Sequence, residues 1–168
     1  LRKRAVAVSR ASADNQQIYD ENWPQWLDMK RHGPSSRWLR ALIGDLLEGP
    51  LRSAEIKRVL DFGCGEGTTT EFLARKLPSA SVVGVDQSRS GIDCANAHHR
   101  SANLEFRHHP GDTPFREAGF DLVTCFEVLE HVDDWQALAS RLAHASSRYL
   151  LVSFPTGRMR DFEVNIGY

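Results

Sequence analysis

Three glycines that alternate with single residues, Gly63, Gly65 and Gly67, follow a short apolar run of the sequence. Glycine lets a backbone turn tightly and approach a ligand closely, and a helix after such a turn presents unpaired N–H groups to a carboxylate or phosphate. The G-x-G-x-x-G pattern of dinucleotide sites is not met, because a threonine stands at its last position. Asp61 and Glu66 would repel a pyrophosphate and attract a cation or an ammonium group. The segment therefore favours a cationic ligand over a dinucleotide, with a ligand-free connection as the alternative.

Two further groups of polar residues follow the glycines at spacings that suit a nucleoside. Asp86 lies about twenty residues later, where a carboxylate can accept hydrogen bonds from both hydroxyls of a ribose. Gln87 would lie along an adenine ring, and Asp112, which precedes Thr113, would accept the adenine amino group. Both acids have a structural alternative, since Asp86 could cap a helix and Asp112 could form a turn.

Short apolar runs alternate with helical patterns from residue 58 onward, which is typical of an α/β protein. The predicted strands cover residues 58–62, 81–86, 104–108, 120–126 and 149–153. The predicted helices cover residues 68–77, 88–99 with Ser88 as the capping residue, and 134–145. This alternation predicts a parallel sheet covered on both faces, whose ligands bind at the carboxyl ends of the strands.

The first 57 residues differ in pattern from the rest of the chain. Apolar residues recur at three- and four-residue spacing over residues 14–48, with a break at Gly33 and Pro34. We expect residues 1–57 to form a helical cap or lid, and residues 58–168 to form the ligand-binding core of a single domain.

The composition argues against several classes of protein. The 168 residues include 21 basic and 22 acidic ones, a net charge of −1, which disfavours a polybasic surface for nucleic acid or membrane. No apolar run approaches the roughly 20 residues needed to span a bilayer. The basic start of the sequence is followed by an apolar stretch too short for a signal peptide, so we expect a cytoplasmic protein. The three cysteines, Cys64, Cys94 and Cys125, are odd in number and widely spaced, so we expect reduced thiols. The two adjacent histidine pairs, His98–His99 and His108–His109, are expected at the surface.

Four segments resemble, in order and spacing, the class I S-adenosylmethionine-dependent methyltransferases over about residues 58–155. They are residues 61–67, 83–88, 120–123 and 127–132, with the sequences DFGCGEG, VGVDQS, FDLV and EVLEHV. The resemblance implies a Rossmann-like three-layer sandwich with a mainly parallel sheet, S-adenosyl-L-methionine as cofactor and S-adenosyl-L-homocysteine as product. Because the family adds two strands after the fifth, we expect the C-terminal strands to be missing from this chain.

The same resemblance implies the residues that bind the cofactor and the acceptor. The implied cofactor site comprises Asp61, Gly63, Cys64, Gly65, Asp86, Gln87, Asp112, Thr113, Phe126 and Glu127. Asp61 and the glycine backbone would hold the methionine end, Asp86 the ribose, and Asp112 with Thr113 the adenine edge. Phe126 and Glu127 would flank the sulfonium. The candidates for the substrate pocket are Tyr19, Trp23, Arg158 and Met159.

The segment Glu127–His131 has three interpretations. Glu130 and His131 could pack and cap at the start of the next helix. His131 could instead act as a base that deprotonates a hydroxyl group. Glu127, Glu130 and His131 also resemble the Glu-x-x-Glu-His metal ligands of small-RNA 2′-O-methyltransferases, whose further downstream histidine has no counterpart here. We therefore expect no metal, with those three residues as the alternative metal ligands.

The expected activity is transfer of a methyl group to an O, N or C nucleophile of a small molecule. One alternative is metal-assisted 2′-O-methylation of RNA, and another is a cofactor-binding domain of the same fold without catalysis. Nucleic acid and membranes are not expected as partners. Neither the acceptor nor the oligomeric state follows from the sequence.

Overall fold

A computed structural model of the protein describes residues 23, 26–111 and 113–154. Its centre is a five-stranded sheet in the order β3-β2-β1-β4-β5. The strands are β1 (Arg58–Phe62), β2 (Ser81–Asp86), β3 (Leu104–His108), β4 (Phe120–Phe126) and β5 (Ser146–Ser153). All four neighbouring pairs are parallel. The strand order reverses between β1 and β4, and ligands of such sheets bind at this switch point.

In the described part of the chain, the sheet is covered by the helices α1 (Pro34–Glu48), α2 (Thr68–Lys76), α3 (Arg89–His98) and α4 (Trp135–Ala145). The apolar side chains of α1 and α2 pack with Val59 and Leu122 on one face. On the other face, α4 packs with Leu60 and Val123. Alternate residues of one strand point to opposite faces, so a strand that is covered on both faces is mostly apolar at successive positions, as in residues 59–60 and 122–123. The fold is the predicted Rossmann-like three-layer α/β sandwich.

The predicted strand positions are confirmed, except that β5 begins at Ser146 rather than at residue 149. The ends of α2 and α3 each lie one residue before the predicted ends. Ser88 caps α3 as predicted, because its Oγ accepts the N–H of Gly91 at 3.0 Å. Residues 26–32 are helical, and α1 begins at Pro34, so the break in the N-terminal helical pattern is also confirmed. Within the described part of the chain, no helix is long and apolar enough to cross a membrane.

Candidate functional site

The loop between β1 and α2 is tied to the end of β2 through its backbone. The N–H groups of Gly63 and Cys64 both donate to the carbonyl oxygen of Val85, at 2.8 and 3.0 Å. Gly65 has a φ of +53°, a left-handed conformation that favours glycine. A Cβ atom at Gly65 would lie 2.5 Å from the indole ring of Trp23. The loop therefore needs glycine at this position both for its backbone angle and for the ring above it.

Asp86 joins the end of β2 to the two segments beside it. Its Oδ2 accepts the N–H of Gly65 and its Oδ1 accepts the N–H of Ser88, both at 2.8 Å. A carboxylate can accept about four hydrogen bonds. The hydrogen bonds from the two backbone amides are therefore compatible with the predicted role of Asp86 in binding ribose hydroxyls.

Asp61 is buried beneath the glycine loop, in the register where it pairs with Gly84 of β2 and Thr124 of β4. Its carboxylate accepts the hydroxyl of Thr70 at 2.6 Å and that of Thr124 at 2.7 Å. Burial raises the pKa of Asp61, and the two hydroxyl donors only partly oppose this effect. The structure places Asp61 at the predicted position, and its carboxylate is engaged by threonines on either side.

Several carboxylates make this edge of the sheet electronegative. Asp86 and Glu66 both raise the pKa of Asp61 further. The same three acids, after burial as the main cause, raise the pKa of the Cys64 thiol well above its usual value. The Cys64 side chain lies over Gly84 of β2. The charge at the site therefore suits a cation, and the Cys64 thiol stays protonated at neutral pH.

The predicted adenine edge lies beside the end of β2. The side chain of Gln87 lies against the backbone of Gly111, and the backbone carbonyl oxygen of Gln87 lies 3.0 Å from Nε2 of His108. Thr113 continues this loop, with its N–H donating to the carbonyl oxygen of Pro110 at 3.0 Å. Asp112 lies outside the described residues. The structure thus brings Gln87 and the loop before Thr113 together at one edge.

The end of β4 carries an unusual backbone conformation. Glu127 has a φ of +55°, and it is the one non-glycine residue with a positive φ in the described ranges. Its N–H donates to the carbonyl oxygen of Ser153 at 3.1 Å, directly after the pairing of Phe126 with Ser153. Strained backbone of this kind persists where the surrounding structure holds it, often at functional sites. Glu127 is exposed and Phe126 is half-buried beside the switch point.

His131 lies at the end of a 3-10 turn, Leu129–His131, and its side chain is 44% exposed. Its Nε2 lies 4.0 Å from Oε1 of Glu130, an ion-pair distance without a hydrogen bond. In the described ranges, no group of three or more His, Cys, Asp or Glu residues is arranged to hold a metal ion. The structure thus leaves His131 accessible to a bound molecule at the end of β4.

Trp23 lies on the glycine loop. Its ring is buried over Gly65, and its Nε1 donates to Oγ of Ser88 at 2.9 Å. The edge of Trp26 meets its ring at a centroid distance of 5.8 Å. The other predicted pocket residues, Tyr19, Arg158 and Met159, lie outside the described residues. Trp23 therefore covers the same loop edge at which the cofactor is predicted to bind.

A family model described as a methyltransferase domain matches residues 59–147, more than half of the chain. The chain belongs to the methyltransferase domain family. This match spans the glycine loop, Asp86 and the segment after β4, so the family assignment rests on the elements that build the site.

A curated relative of this methyltransferase domain is a ubiquinone biosynthesis O-methyltransferase from Acinetobacter baylyi, 41% identical over 83 residues. The match covers 46% of this chain and 34% of the relative. A similar enzyme of the same name from Coxiella burnetii is 41% identical over 90 residues, which are 52% of this chain and 38% of the relative. The chain thus spans little more than a third of the curated relatives it matches.

Solved structures share the fold. A TehB-like SAM-dependent methyltransferase from Corynebacterium glutamicum superposes with a TM-score of 0.64 and 19% identity, covering 84% of this chain and 76% of that chain. A magnesium protoporphyrin IX methyltransferase from Synechocystis with bound SAH has a TM-score of 0.60 and 20% identity, covering 83% and 76%. At these identities the likeness shows the fold of the methyltransferase domain.

Three side chains of the site were missed in the sequence. Thr70 and Thr124 hold Asp61 from α2 and from β4. A hydroxyl inside the apolar run of β4 was the available signal for Thr124, because a buried hydroxyl needs a partner. The third is His99, which was expected at the surface. That expectation is wrong for His99: its neighbour His98 is exposed, but His99, which follows the last residue of α3, has a fully buried side chain beside Glu66 of the loop.

Proposed function

We propose that this methyltransferase domain binds S-adenosylmethionine at the carboxyl ends of β1, β2 and β4 and methylates a hydroxyl oxygen of a small molecule. The observation that carries the proposal is the glycine loop surrounded by the carboxylates of Asp61, Glu66 and Asp86. This charge suits the ammonium and sulfonium groups of that cofactor and disfavours a pyrophosphate. The Synechocystis neighbour, which has the same fold, was crystallised with SAH.

The arrangement of the residues supports a division of roles. Asp61 and the backbone at Gly63, Cys64 and Gly65 would hold the methionine end, since glycines let a ligand approach the backbone closely. The Trp23 ring, which contacts Gly65, would have to shift to admit the ligand there. Asp86 would accept the ribose hydroxyls. The loop that includes Asp112 and Thr113, together with Gln87, would meet the adenine. These residues fit the cofactor, because their acidic side chains would lie beside its cationic groups or its ribose hydroxyls.

The cofactor supplies an electrophilic methyl group, so the protein must align the acceptor, exclude water and remove a proton. Phe126 and Glu127 would flank the sulfur at the end of β4. His131 is 44% exposed in the segment after β4 and would take the proton of the acceptor hydroxyl, with Glu130 beside its ring. Trp23 would exclude water from the loop edge that it covers.

The names of the relatives support the proposed acceptor class. Both curated relatives are named O-methyltransferases of ubiquinone biosynthesis, which favours a hydroxyl of a small molecule over a nitrogen, a carbon or RNA. Tyr19, Arg158 and Met159 remain the proposed lining of the acceptor pocket. A cytoplasmic location also remains a proposal, supported by three buried cysteines, Cys64, Cys94 and Cys125, that form no disulfide.

Two measurements test the proposal. Thermal unfolding with SAH or with NAD distinguishes the cofactors, because a ligand at 100 times its Kd stabilises the fold by about 2.7 kcal/mol. We expect SAH to stabilise the chain and NAD to leave it unchanged; stabilisation by NAD alone contradicts the proposal.

Transfer of a labelled methyl group tests the acceptor. Phenolic small molecules are compared with RNA, each with and without added Mg²⁺. Labelling of the small molecules without added metal is the expected result. Labelling of RNA only in the presence of Mg²⁺ supports the metal-assisted alternative, and SAH binding without labelling of any acceptor supports a domain that binds the cofactor without catalysis.

A further inference from the structure

Asp61 is a buried carboxylate with a hydroxyl donor on each of its oxygens. The residue lies near the end of β1 and is only 3% exposed. Its Oδ2 accepts the hydroxyl of Thr70 at 2.6 Å, and its Oδ1 accepts the hydroxyl of Thr124 at 2.7 Å. Within the described part of the chain, no lysine, arginine or histidine forms an ion pair with this carboxylate. Because a buried charge is costly without a partner, the site favours a cation that a bound molecule supplies.

The two hydroxyl groups restrict the orientation of the carboxylate. Thr70 reaches it from α2 and Thr124 from β4, and both threonines are completely buried. The Thr124 oxygen lies 3.3 Å from the carbonyl oxygen of Leu60 but 2.7 Å from Oδ1 of Asp61, so the carboxylate is the nearer acceptor of its single proton. One donor on each oxygen limits the rotation of the carboxylate and leaves about two of its four acceptor positions for other donors.

The hydroxyl groups also favour the charged form of Asp61. Burial is the largest influence and raises the pKa of Asp61, and the carboxylates of Asp86 and Glu66 raise it further. The hydrogen bonds from Thr70 and Thr124 lower this pKa, because a donated hydrogen bond stabilises the carboxylate. A carboxylate forms a stronger hydrogen bond with an ammonium group than a neutral carboxyl group does. The threonines therefore help the buried acid to keep the charge that a cationic ligand needs.

The position of Thr124 shows that its hydroxyl matters for more than packing. Thr124 is the register partner of Asp61 across β4 and β1, and it lies between the apolar residues Val123 and Cys125. Valine has a similar shape and would suit this apolar run, but it cannot donate a proton. Since Thr70 and Thr124 are both completely buried, a bound molecule does not touch them. The carboxylate of Asp61 is the polar group through which their hydroxyls can act on a ligand.

We propose that Thr70 and Thr124 are positioning residues of the cofactor site: their hydroxyl groups hold the Asp61 carboxylate in the orientation that binds the ammonium group of S-adenosylmethionine. This inference rests on the proposed function and assigns the two hydroxyls to the methionine end alone. The adenosine half is bound by Asp86 and Gln87 in that function, so it does not depend on them. Loss of either hydroxyl weakens a ligand that carries the ammonium group and spares a ligand that lacks it.

The test compares SAH with 5′-methylthioadenosine, which has the same adenosine and sulfur but lacks the amino-acid end. The Kd of each ligand is measured by calorimetry for the wild type, Thr70→Val and Thr124→Val. Hydrogen bonds to charged groups are the stronger ones, so the Kd of SAH is expected to rise by about tenfold in each valine variant. The Kd of 5′-methylthioadenosine is expected to keep its wild-type value. Equal losses for the two ligands indicate a purely structural role and overturn the inference, as does an unchanged Kd of SAH.

Serine variants and a neighbouring threonine provide the controls. Thr70→Ser and Thr124→Ser keep the hydroxyl group and are expected to bind SAH much more tightly than the valine variants do. Thr69→Val is the matched control on α2, because Thr69 is adjacent to Thr70 but its hydroxyl does not bond to Asp61. This variant is expected to bind SAH like the wild type. Serine variants as weak as the valine variants show that the hydroxyl groups are not responsible, which also overturns the inference.

A double variant and a check of folding keep the test decisive. In the Asp61→Asn chain the carboxylate is absent, so adding Thr124→Val is expected to cause little further loss of SAH affinity. Additive losses mean that the threonine acts by another route and contradict the inference. Thermal unfolding without ligand shows whether each variant folds, and alanine replaces valine where it does not. If the wild type binds neither SAH nor 5′-methylthioadenosine, the proposed function is wrong; if it binds both and the valine variants do not distinguish them, only the role of the threonines is wrong.

Discussion

The carboxylate of Asp86 accepts the backbone N–H of Gly65 at 2.8 Å, so the end of β2 holds the loop that follows β1. Asp86 stands one residue beyond the last pair between these strands, Phe62 with Val85. The residue predicted to bind the ribose and the loop predicted to hold the methionine end are thus one hydrogen-bonded unit. A change at either residue is expected to alter both halves of the site.

Replacing Asp86 by alanine tests this unit. Asp86→Ala removes the acceptor of the Gly65 and Ser88 amides as well as the predicted acceptor for the ribose. Hydrogen bonds to charged groups contribute about 1.5–3 kcal/mol, so we expect the SAH affinity to fall by about tenfold or more, measured by calorimetry. Asp93→Ala, an exposed aspartate of α3, is the control and is expected to bind SAH like the wild type. Equal affinities of the two variants would contradict the role of Asp86.

The space at Gly65 gives a second prediction. In Gly65→Ala, the new Cβ would lie 2.5 Å from the Trp23 ring, and alanine would have to adopt a φ of +53°. The left-handed conformation alone costs about 1–2 kcal/mol in a non-glycine residue, so both the stability and the SAH affinity are expected to fall. Gly44→Ala is the matched control, because its Cβ would meet only Phe72 at 3.8 Å within a helix. That variant is expected to be as stable as the wild type or more so by about 0.5–1 kcal/mol, measured by urea unfolding. A Gly65→Ala chain that unfolds and binds SAH like Gly44→Ala would show that the loop does not need glycine there.

The strands and the residues at their ends follow from local patterns in the sequence. A buried parallel strand is an apolar run of about five residues, and β1 and β4 are such runs between turn-forming residues. The glycines come directly after β1, and Asp86 is the last residue of β2. That the glycine loop and Asp86 lie close together was therefore predictable from the fold class alone, because parallel strands bring their carboxyl ends to one edge of the sheet.

The interior partners of the site were not predictable in this way. Whether His98 or His99 is buried depends on how the end of α3 packs against the glycine loop and α2, which no spacing in the sequence encodes. Trp23 was predicted as a pocket residue from the resemblance, whereas its contact with Gly65 depends on how the N-terminal segment docks onto the loop. Both are contacts between elements distant in sequence, and such contacts follow from packing.

Asp61 makes the stability depend on pH in a defined direction. Burial raises its pKa in the folded chain, so the carboxyl contributes stability while protonated and loses this contribution as the pH rises through its folded-state pKa. Asp61→Asn keeps the shape and removes the titration. Relative to the wild type, this variant is expected to gain free energy of unfolding as the pH is raised from acidic to neutral values, measured by urea unfolding at each pH.

Asp121→Asn is the control of opposite sign. The backbone N–H groups of Lys57 and Arg58 donate to Asp121 at 2.8 and 3.0 Å and lower its pKa. Its contribution is present at neutral pH and is lost as the pH falls through its folded-state pKa. Asp121→Asn is therefore expected to be less stable than the wild type at neutral pH, with a difference that shrinks on acidification. The same trend with pH in both variants would mean that burial does not dominate at Asp61.

The positive φ of Glu127 gives a prediction that separates backbone strain from side-chain loss. Glycine adopts this conformation without a steric penalty, whereas alanine retains the strain of the wild-type residue. Glu127→Gly is therefore expected to be more stable than Glu127→Ala by about 1 kcal/mol, measured by urea unfolding. At Glu55, an exposed loop residue without a positive φ, the order is expected to reverse, because glycine adds disorder to the unfolded chain. If alanine is the more stable substitution at both positions, the conformation at the end of β4 carries no strain.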